Sequence, residues 1–469
     1  MSQLTKSQYK TAVKAGKHLD RAARSMRVLS SIAWNPAMKS TFLRRGTLPS
    51  PTYAAVPTDK AREHIKAARK LIDGDNVVAD WQRRLCETLS STAGLIETRG
   101  TPDFFTHSTA LYGQPTRLML DRQTKVLDLA VHMDAALEGL DFQRLVVEGT
   151  EKHLTDIQFA RRLRERLRRH FETDAPAVVI SPTVSAKAAA SSKRIRIRQG
   201  ASFTERDVDQ LLHHEALIHT ATALNGRAQK TFPILGRGHA GTTEIQEGLA
   251  VFAEMITGSM DPRRFKRLSG RVLAIQMAVE GADFKDVFDF FVERNDDPQQ
   301  SYENARRVFR GGVITGGAPF TKDMVYLNGL LRVHNFMRTV VRMGRSDLIR
   351  VLFVGKMDIE DLPALAQLAA DGHLESPRFM PPWIRDLRFL ISYLAYSSFL
   401  NRVKMPGFQT YYQEELKEVP DVWSLVRHDR VDEFGRRHYR GVRTLRPAPD
   451  IVFRRSEIAQ ASSGPFSRR

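Results

Sequence analysis

A single cysteine, Cys86, stands among 469 residues, so no intrachain disulfide can form and a reducing compartment fits best. Long apolar runs are missing as well. The longest, FLISYLAYSSFL after Arg388, is too short to span a bilayer. The N-terminal MSQLTKSQYKTAVKAGKHLDRAARSM lacks the apolar core of a signal peptide. These absences lead to the expectation of a cytoplasmic protein with no membrane span. Negative charge is in deficit, with 53 Asp+Glu against 72 Lys+Arg and a formal charge of +19. Such a field draws anionic partners: nucleic acid, an anionic membrane surface or an acidic peptide. No recognisable nucleic-acid-binding motif accompanies the charge, which argues against nucleic acid and leaves an acidic partner open. Hydrophobic residues at 42% and charged residues at 27% exclude a wholly disordered, collagen-like or coiled-coil chain. The length suits roughly two to four domains, or one enzyme-sized body with extensions. Nothing in the sequence sets the oligomeric state.

Periodicity divides the chain into four regions. Residues 1–55 read as a basic helical arm closed by the breaker-rich linker RRGTLPSPTYAAVP. Residues 56–175 keep a helical period through TDKAREHIKAARKLI, DRQTKVLDLAVHMDAAL and TDIQFARRLRERLRRHF. The period then changes. APAVVISP and KRIRIRQG are short and β-branched, the second setting Ile195 and Ile197 against Arg194, Arg196 and Arg198, so both predict strands with one face buried. SAKAAASSK between them predicts a flexible loop. Thr204 and Asp207 form a capping pair for a returning helix, and residues 176–404 make up the region that carries the chemistry. Within it, VFDFFVERN reads as core. Residues 405–469 form a basic extension ending in an arginine-rich segment.

The informative stretch is LLHHEALIHTATALNG, where His214, Glu215 and His219 spell His-Glu-x-x-x-His inside an apolar helical frame. Zinc peptidases more often carry His-Glu-x-x-His, whose histidines share a helix face. At i+5 the second histidine of an ideal α-helix lies about 140° around from the first. A π-bulge would bring the pair into line, so the spacing suits zinc only in a distorted helix. A hydrolytic zinc takes three protein ligands and keeps one position open. Glu247 in TTEIQEGLAVFAEM supplies the third, with Gly248 beside it allowing close helix approach and Glu244 as the alternative ligand. Glu215, next to a ligand and not needed for coordination, fits a general base. The competing reading makes His214 and His219 buried helix histidines and Glu215 a surface carboxylate. His213 reads as a neighbour of the site or an outward-facing residue and not as a ligand, and Asn225 either supports the metal from behind or caps a helix end.

HHEALIHTATALNG followed by QEGLAVFAE resembles the bacterial QEGLA-motif family, named for modulating flavohaemoglobin expression and related to the animal microtubule-associated tyrosine carboxypeptidases. RRVFRGGVITGGAPFTKDMVYLNG is similar to a second block of the animal enzymes, and the two blocks together span about Val178 to Arg345. The resemblance implies zinc on His214, His219 and Glu247 with Glu215 as base. It implies a peptide or protein C-terminus as substrate in the animal branch and none in particular for the QEGLA branch. A carboxypeptidase needs a cation for the terminal carboxylate and donors for the oxyanion. Arg310 and Lys322 are the candidate substrate-binding cations, and Lys322 and Tyr326, at i and i+4, the candidate oxyanion donors.

The expected architecture is α+β: a mainly helical, gluzincin-like zinc metallopeptidase with a small β-sheet preceding the metal-binding helix, its edge aligning an extended peptide. Two other readings stand beside it. One is a basic regulatory or nucleic-acid-binding protein with a non-catalytic metal site; the other is a metallohydrolase acting on something other than peptide.

Overall fold

Thr5 starts the first helix by local chemistry. Its side chain accepts from the Gln8 N–H, and the Gln8 side chain accepts from the Thr5 N–H in return, a capping box that opens helix Lys6–Ser25. The inward stripe of this helix is Ala12, Ala15, Gly16, Leu19 and Ala22. Residues that small let helices Asp59–Leu71 and Val77–Glu97 pack closely against it. Gln82 of the latter donates to the Ala12 carbonyl at 2.7 Å and fastens the arm to the body. In the computed structural model, residues 4–138, 153–182, 184, 187–191, 193–294, 297–400 and 405–417 are described. The chain divides into two units, Met1–Leu400 and Asn401–Arg469. In the second, a helix runs over Met405–Leu416 with Tyr411, Tyr412 and Leu416 exposed. The arginine-rich segment from Glu433 onward lies outside the described residues.

The first unit is mainly helical with one small sheet, and that sheet stands before the histidine-bearing helix. Strands β1 (Ala177–Ser181), β2 (Ala188–Ala190) and β3 (Arg194–Arg198) are arranged in the order β1-β3-β2. β1 runs parallel to β3 with Val178 opposite Ile195, and β2 runs antiparallel with Ala190 opposite Ile195. The alternation in RIRIR holds: Ile195 and Ile197 are fully buried while Arg194 and Arg196 face solvent. Both isoleucines share a core with Phe159, Leu163 and Leu167 of helix Asp156–Phe171. In that core Phe159 stacks on Phe203 at 4.1 Å, a contact worth about 0.5–1.5 kcal/mol beyond the area it buries. β2 corrects the expectation of a loop in SAKAAASSK. Alanine has little strand preference of its own, and the backbone pairing with β3 overrides it.

Thr204 caps the next helix as its pairing with Asp207 predicts, through reciprocal bonds of a capping box. The chain then runs as α-helix over Glu205–Leu211, as π-helix over Leu212–Thr220 and as α-helix again over Ala221–Ala228. Ala216, Leu217 and Ala221 bury into the core under the sheet, whereas Ile218 belongs to the large helical core on the other side. The histidine-bearing segment is therefore clamped between two cores. Helix Ala240–Ile256 packs beside it and crosses helix Val325–Arg342. At the crossing, a Cβ on Gly248 would lie 2.3 Å from the Gly329 carbonyl carbon. Only glycine on both helices permits that approach, which is the role its place in the sequence predicts for Gly248. Of VFDFFVERN, Val287 and Phe291 are core and Phe288 and Phe290 pack against it half-buried, whereas Val292 is exposed. Among the described residues no helix is long and apolar enough to cross a membrane.

Candidate active site

The π-helical stretch does what the i+5 spacing demands. Bonds from residue i to i+5 bring His214 and His219 onto one face, with ring centroids 5.0 Å apart and planes at 81°. The single bulge expected from the sequence is a run of nine residues. Glu247 on the neighbouring helix completes the group. Its Oε2 lies 3.6 Å from His214 Nε2 and 3.5 Å from His219 Nε2. One ligand atom from each of the three residues falls within 4.8 Å of the others. Two imidazole nitrogens and one carboxylate oxygen converging this closely suit a divalent transition ion. Glu244, the alternative ligand, is engaged elsewhere: Asn328 donates to it at 2.6 Å and Arg332 at 3.1 Å. Glu215 stays outside the group, its Oε2 accepting from the Ala190 N–H of β2 at 3.2 Å.

A carboxylate that sequence reasoning missed holds His214 from behind. Glu254 Oε1 lies 2.5 Å from His214 Nδ1, and Arg264 Nη2 donates to the same oxygen at 2.7 Å. With Nδ1 engaged, Nε2 is the nitrogen presented to Glu247 and to any ion. A signal was present: Glu254 follows Glu247 by two helical turns, so both carboxylates share one face. Burial works against charging His214, yet Glu247 and Glu254 outweigh it and raise the imidazole to about 10. Burial likewise raises Glu254, and Arg264 with His214 overcomes it to hold that carboxyl at about 2. Glu247 sits well below the ordinary range because Lys322 and both imidazoles offset its desolvation. The site concentrates negative charge around two imidazoles, which fits a cation.

Lys322 stands on the short turn Thr321–Met324, which is fastened by the Thr321 N–H donating to Ser108 Oγ at 2.9 Å. Its Nζ lies 3.4 Å from Glu247 Oε1 and 5.4 Å from the centre of the Tyr326 ring. Of the two candidate oxyanion donors, Lys322 is thus beside Glu247, and the ring of Tyr326 is next to Lys322. Arg307 donates to the Tyr326 hydroxyl at 3.3 Å and to Asp323 at 2.8 Å, and Arg271 lies 5.1 Å from the centre of the same ring. Asp323 is held far below its usual range by Arg307 and Arg271 against its own burial. Arg310 follows helix Pro298–Phe309 and lies over Phe320 at 5.7 Å. Burial, then Arg307, pushes its guanidinium down to about 10.

A cavity of about 580 Å³ opens beside the histidines. Its wall includes His219, Glu247, Lys322, Gln246 and Lys356. Ala190 and Ser191 border it at the sheet, and Arg24, Met26, Arg27 and Val28 border it from the arm. Arg310 and Tyr326 are not part of this wall, so of the two candidate carboxylate cations Lys322 is the one the cavity exposes. One expectation is corrected. Asn225 neither supports the metal site nor caps a helix end: it is buried within a helix and ties two segments together, donating to Phe353 and Phe379 carbonyls at 2.8 and 2.7 Å and accepting from the Phe379 N–H. His213 lines a separate depression with Arg206, Asp209 and Thr257.

Comparison with curated proteins finds no match. A protein-family model does match, over residues 41–402, the greater part of the chain and every residue of the His214, His219 and Glu247 group, though not the part of the cavity wall that the arm supplies; it is that of the microtubule-associated tyrosine carboxypeptidases. The chain belongs to the microtubule-associated tyrosine carboxypeptidase family.

Proposed function

We propose that the chain is a zinc-dependent carboxypeptidase of gluzincin-like design, belonging to the QEGLA branch of its family and acting in the cytoplasm on the C-terminus of a peptide or protein. The observation that carries this reading is the convergence of His214, His219 and Glu247 within 4.8 Å, with Glu215 left outside the ligand group. These three residues would hold the ion, and their donor set leaves a coordination position open, as hydrolytic zinc requires. When bound, zinc lowers the pKa of a water molecule and polarises a carbonyl.

Glu215 takes the proton of the attacking water and delivers it to the departing amine, its carboxylate positioned by the Ala190 N–H. Lys322 and Tyr326 supply donors for the developing oxyanion, Lys322 from the cavity wall and Tyr326 from beside it. Arg310, outside that wall, adds its positive charge to the field that attracts the substrate carboxylate. The outer edge of β2 offers backbone groups to an extended substrate next to Glu215.

Glu215→Gln tests the assignment, because it keeps the size of the side chain and removes the proton acceptor. The variant should retain its zinc and lose hydrolysis by about 100-fold or more, the scale of general-base catalysis. Loss of zinc together with activity would put Glu215 in the coordination shell instead.

A further inference from the structure

Within the Gln246-Glu247-Gly248 run, Glu247 faces the two imidazoles and Gly248 makes the helix crossing. Gln246 does neither, being only 4% exposed yet bordering the cavity. Its Oε1 accepts from Thr222 Oγ1 and from Lys356 Nζ, both at 2.8 Å. An ammonium can only donate, so the bond from Lys356 fixes which end of the amide is oxygen. Nε2 is then the other end, buried and without a hydrogen-bond partner. Buried amide donors are nearly always satisfied, and one left unpaired on a residue that borders a cavity calls for an acceptor from outside the chain.

Lys356 is in a similar position. Among the described residues its ammonium makes one hydrogen bond, to the neutral Gln246 oxygen. Its backbone is fixed by the Lys356 N–H donating to the Leu235 carbonyl at 2.7 Å, and its stem runs past Gly238 into the cavity. Lys322 across the cavity differs, since its charge is already matched by Glu247 at 3.4 Å. Burial pushes the Lys356 ammonium down to about 8 against the pull of Glu247 and Glu215. On the same wall, His239 Nδ1 is, like Gln246 Nε2, a buried polar atom with no partner.

We propose that Lys356 and Gln246 form the subsite that receives the α-carboxylate of the substrate's C-terminal residue, one oxygen taken by the ammonium and the other by the amide N–H. This deepens the carboxypeptidase reading and rests on it. A carboxylate brings the negative charge that the Lys356 ammonium has no partner for, and two acceptor oxygens for the two donors.

The experiment compares zinc-loaded parent, Lys356→Met and Lys356→Arg on a peptide ending in tyrosine, with its end free or amidated. In the parent, kcat/KM should favour the free end by about tenfold or more, the scale of a charge-assisted hydrogen bond. Lys356→Met should bring the ratio close to one, and Lys356→Arg should restore part of it. A ratio that survives Lys356→Met overturns the proposal, as does an equal fall on both peptides with the ratio kept.

Calorimetry with N-acetyl-tyrosine and N-acetyl-tyrosinamide gives a reading that does not need turnover. The acid should bind the parent and bind Lys356→Met at least about tenfold more weakly. If the parent cleaves neither peptide, the carboxypeptidase reading fails, and loss of acid binding in Lys356→Met still sustains the carboxylate subsite; unchanged or absent binding removes it. An amidated peptide ending in glutamate separates the two sources of carboxylate. Cleavage of it as fast as the free-ended peptide would assign the subsite to a side chain and overturn the α-carboxylate.

Discussion

The two helices that meet at the site solve one problem in opposite ways. On the first, His214 and His219 are five residues apart, and only a π-helical run lines them up. On the second, Glu247 and Glu254 are two turns apart, so an undistorted α-helix places both toward the histidines. One helix is bent to its ligands; the other had its ligands placed to suit it. The difference also separates their tasks. The distorted segment is held by two cores and carries both imidazoles and Glu215, whereas the regular helix supplies one carboxylate to the ion's position and one to the back of His214.

The sharpest break of this comparison is His219→Ala. Two of three protein ligands do not hold zinc in a hydrolytic site, so the variant should lose its metal altogether, measured by elemental analysis of the purified protein. Unchanged metal content would mean that the π-helical alignment serves some other purpose. A smaller effect is expected from Glu254→Gln on the regular helix. It leaves all three ligands in place and weakens the hold on His214, and such outer partners are worth about 10–100-fold in metal affinity. Competition with a chelator reads this directly, and an affinity equal to the parent's would confine Glu254 to its pair with Arg264.

Gly248→Ala should act on the fold and leave the groups at the site in place. Its new Cβ meets the Gly329 backbone at 2.3 Å, an overpacking that typically costs about 1–3 kcal/mol. The urea midpoint of the zinc-free protein should fall accordingly. A midpoint that stays put would show that the two helices can part without loss, and that Glu247 is held by something other than their crossing.

The same residues differ in how legible they are in the amino-acid sequence. The candidate group His214, His219 and Glu247 can be read there because imidazoles and a carboxylate on successive helices leave a pattern, and the odd spacing of the histidines itself points to a π distortion. The strands over APAVVISP and KRIRIRQG show in their β-branched alternation; β2 does not, because three alanines carry no strand signal and pair only once β3 is beside them. Glu254 has a faint signal in its two-turn spacing from Glu247. Arg264, Gln246 and Lys356 have none that a linear reading can use. Their meaning lies in contacts between distant segments, such as Lys356 reaching an amide 110 residues earlier in the chain. Arg310 shows the reverse case: its residue type fits carboxylate binding, but only the packing around Phe320 shows that it stands off the cavity wall.

The most direct test of zinc-dependent carboxypeptidase action is to measure zinc in the purified parent protein and, on the same sample, to follow by mass spectrometry a tyrosine-ended peptide with its carboxylate free or amidated. The expected result is about one zinc per chain and stepwise loss of the terminal residue from the free end, at least about tenfold faster than from the amidated end. A protein without zinc, or one that cleaves both peptides equally or at internal bonds, would contradict it.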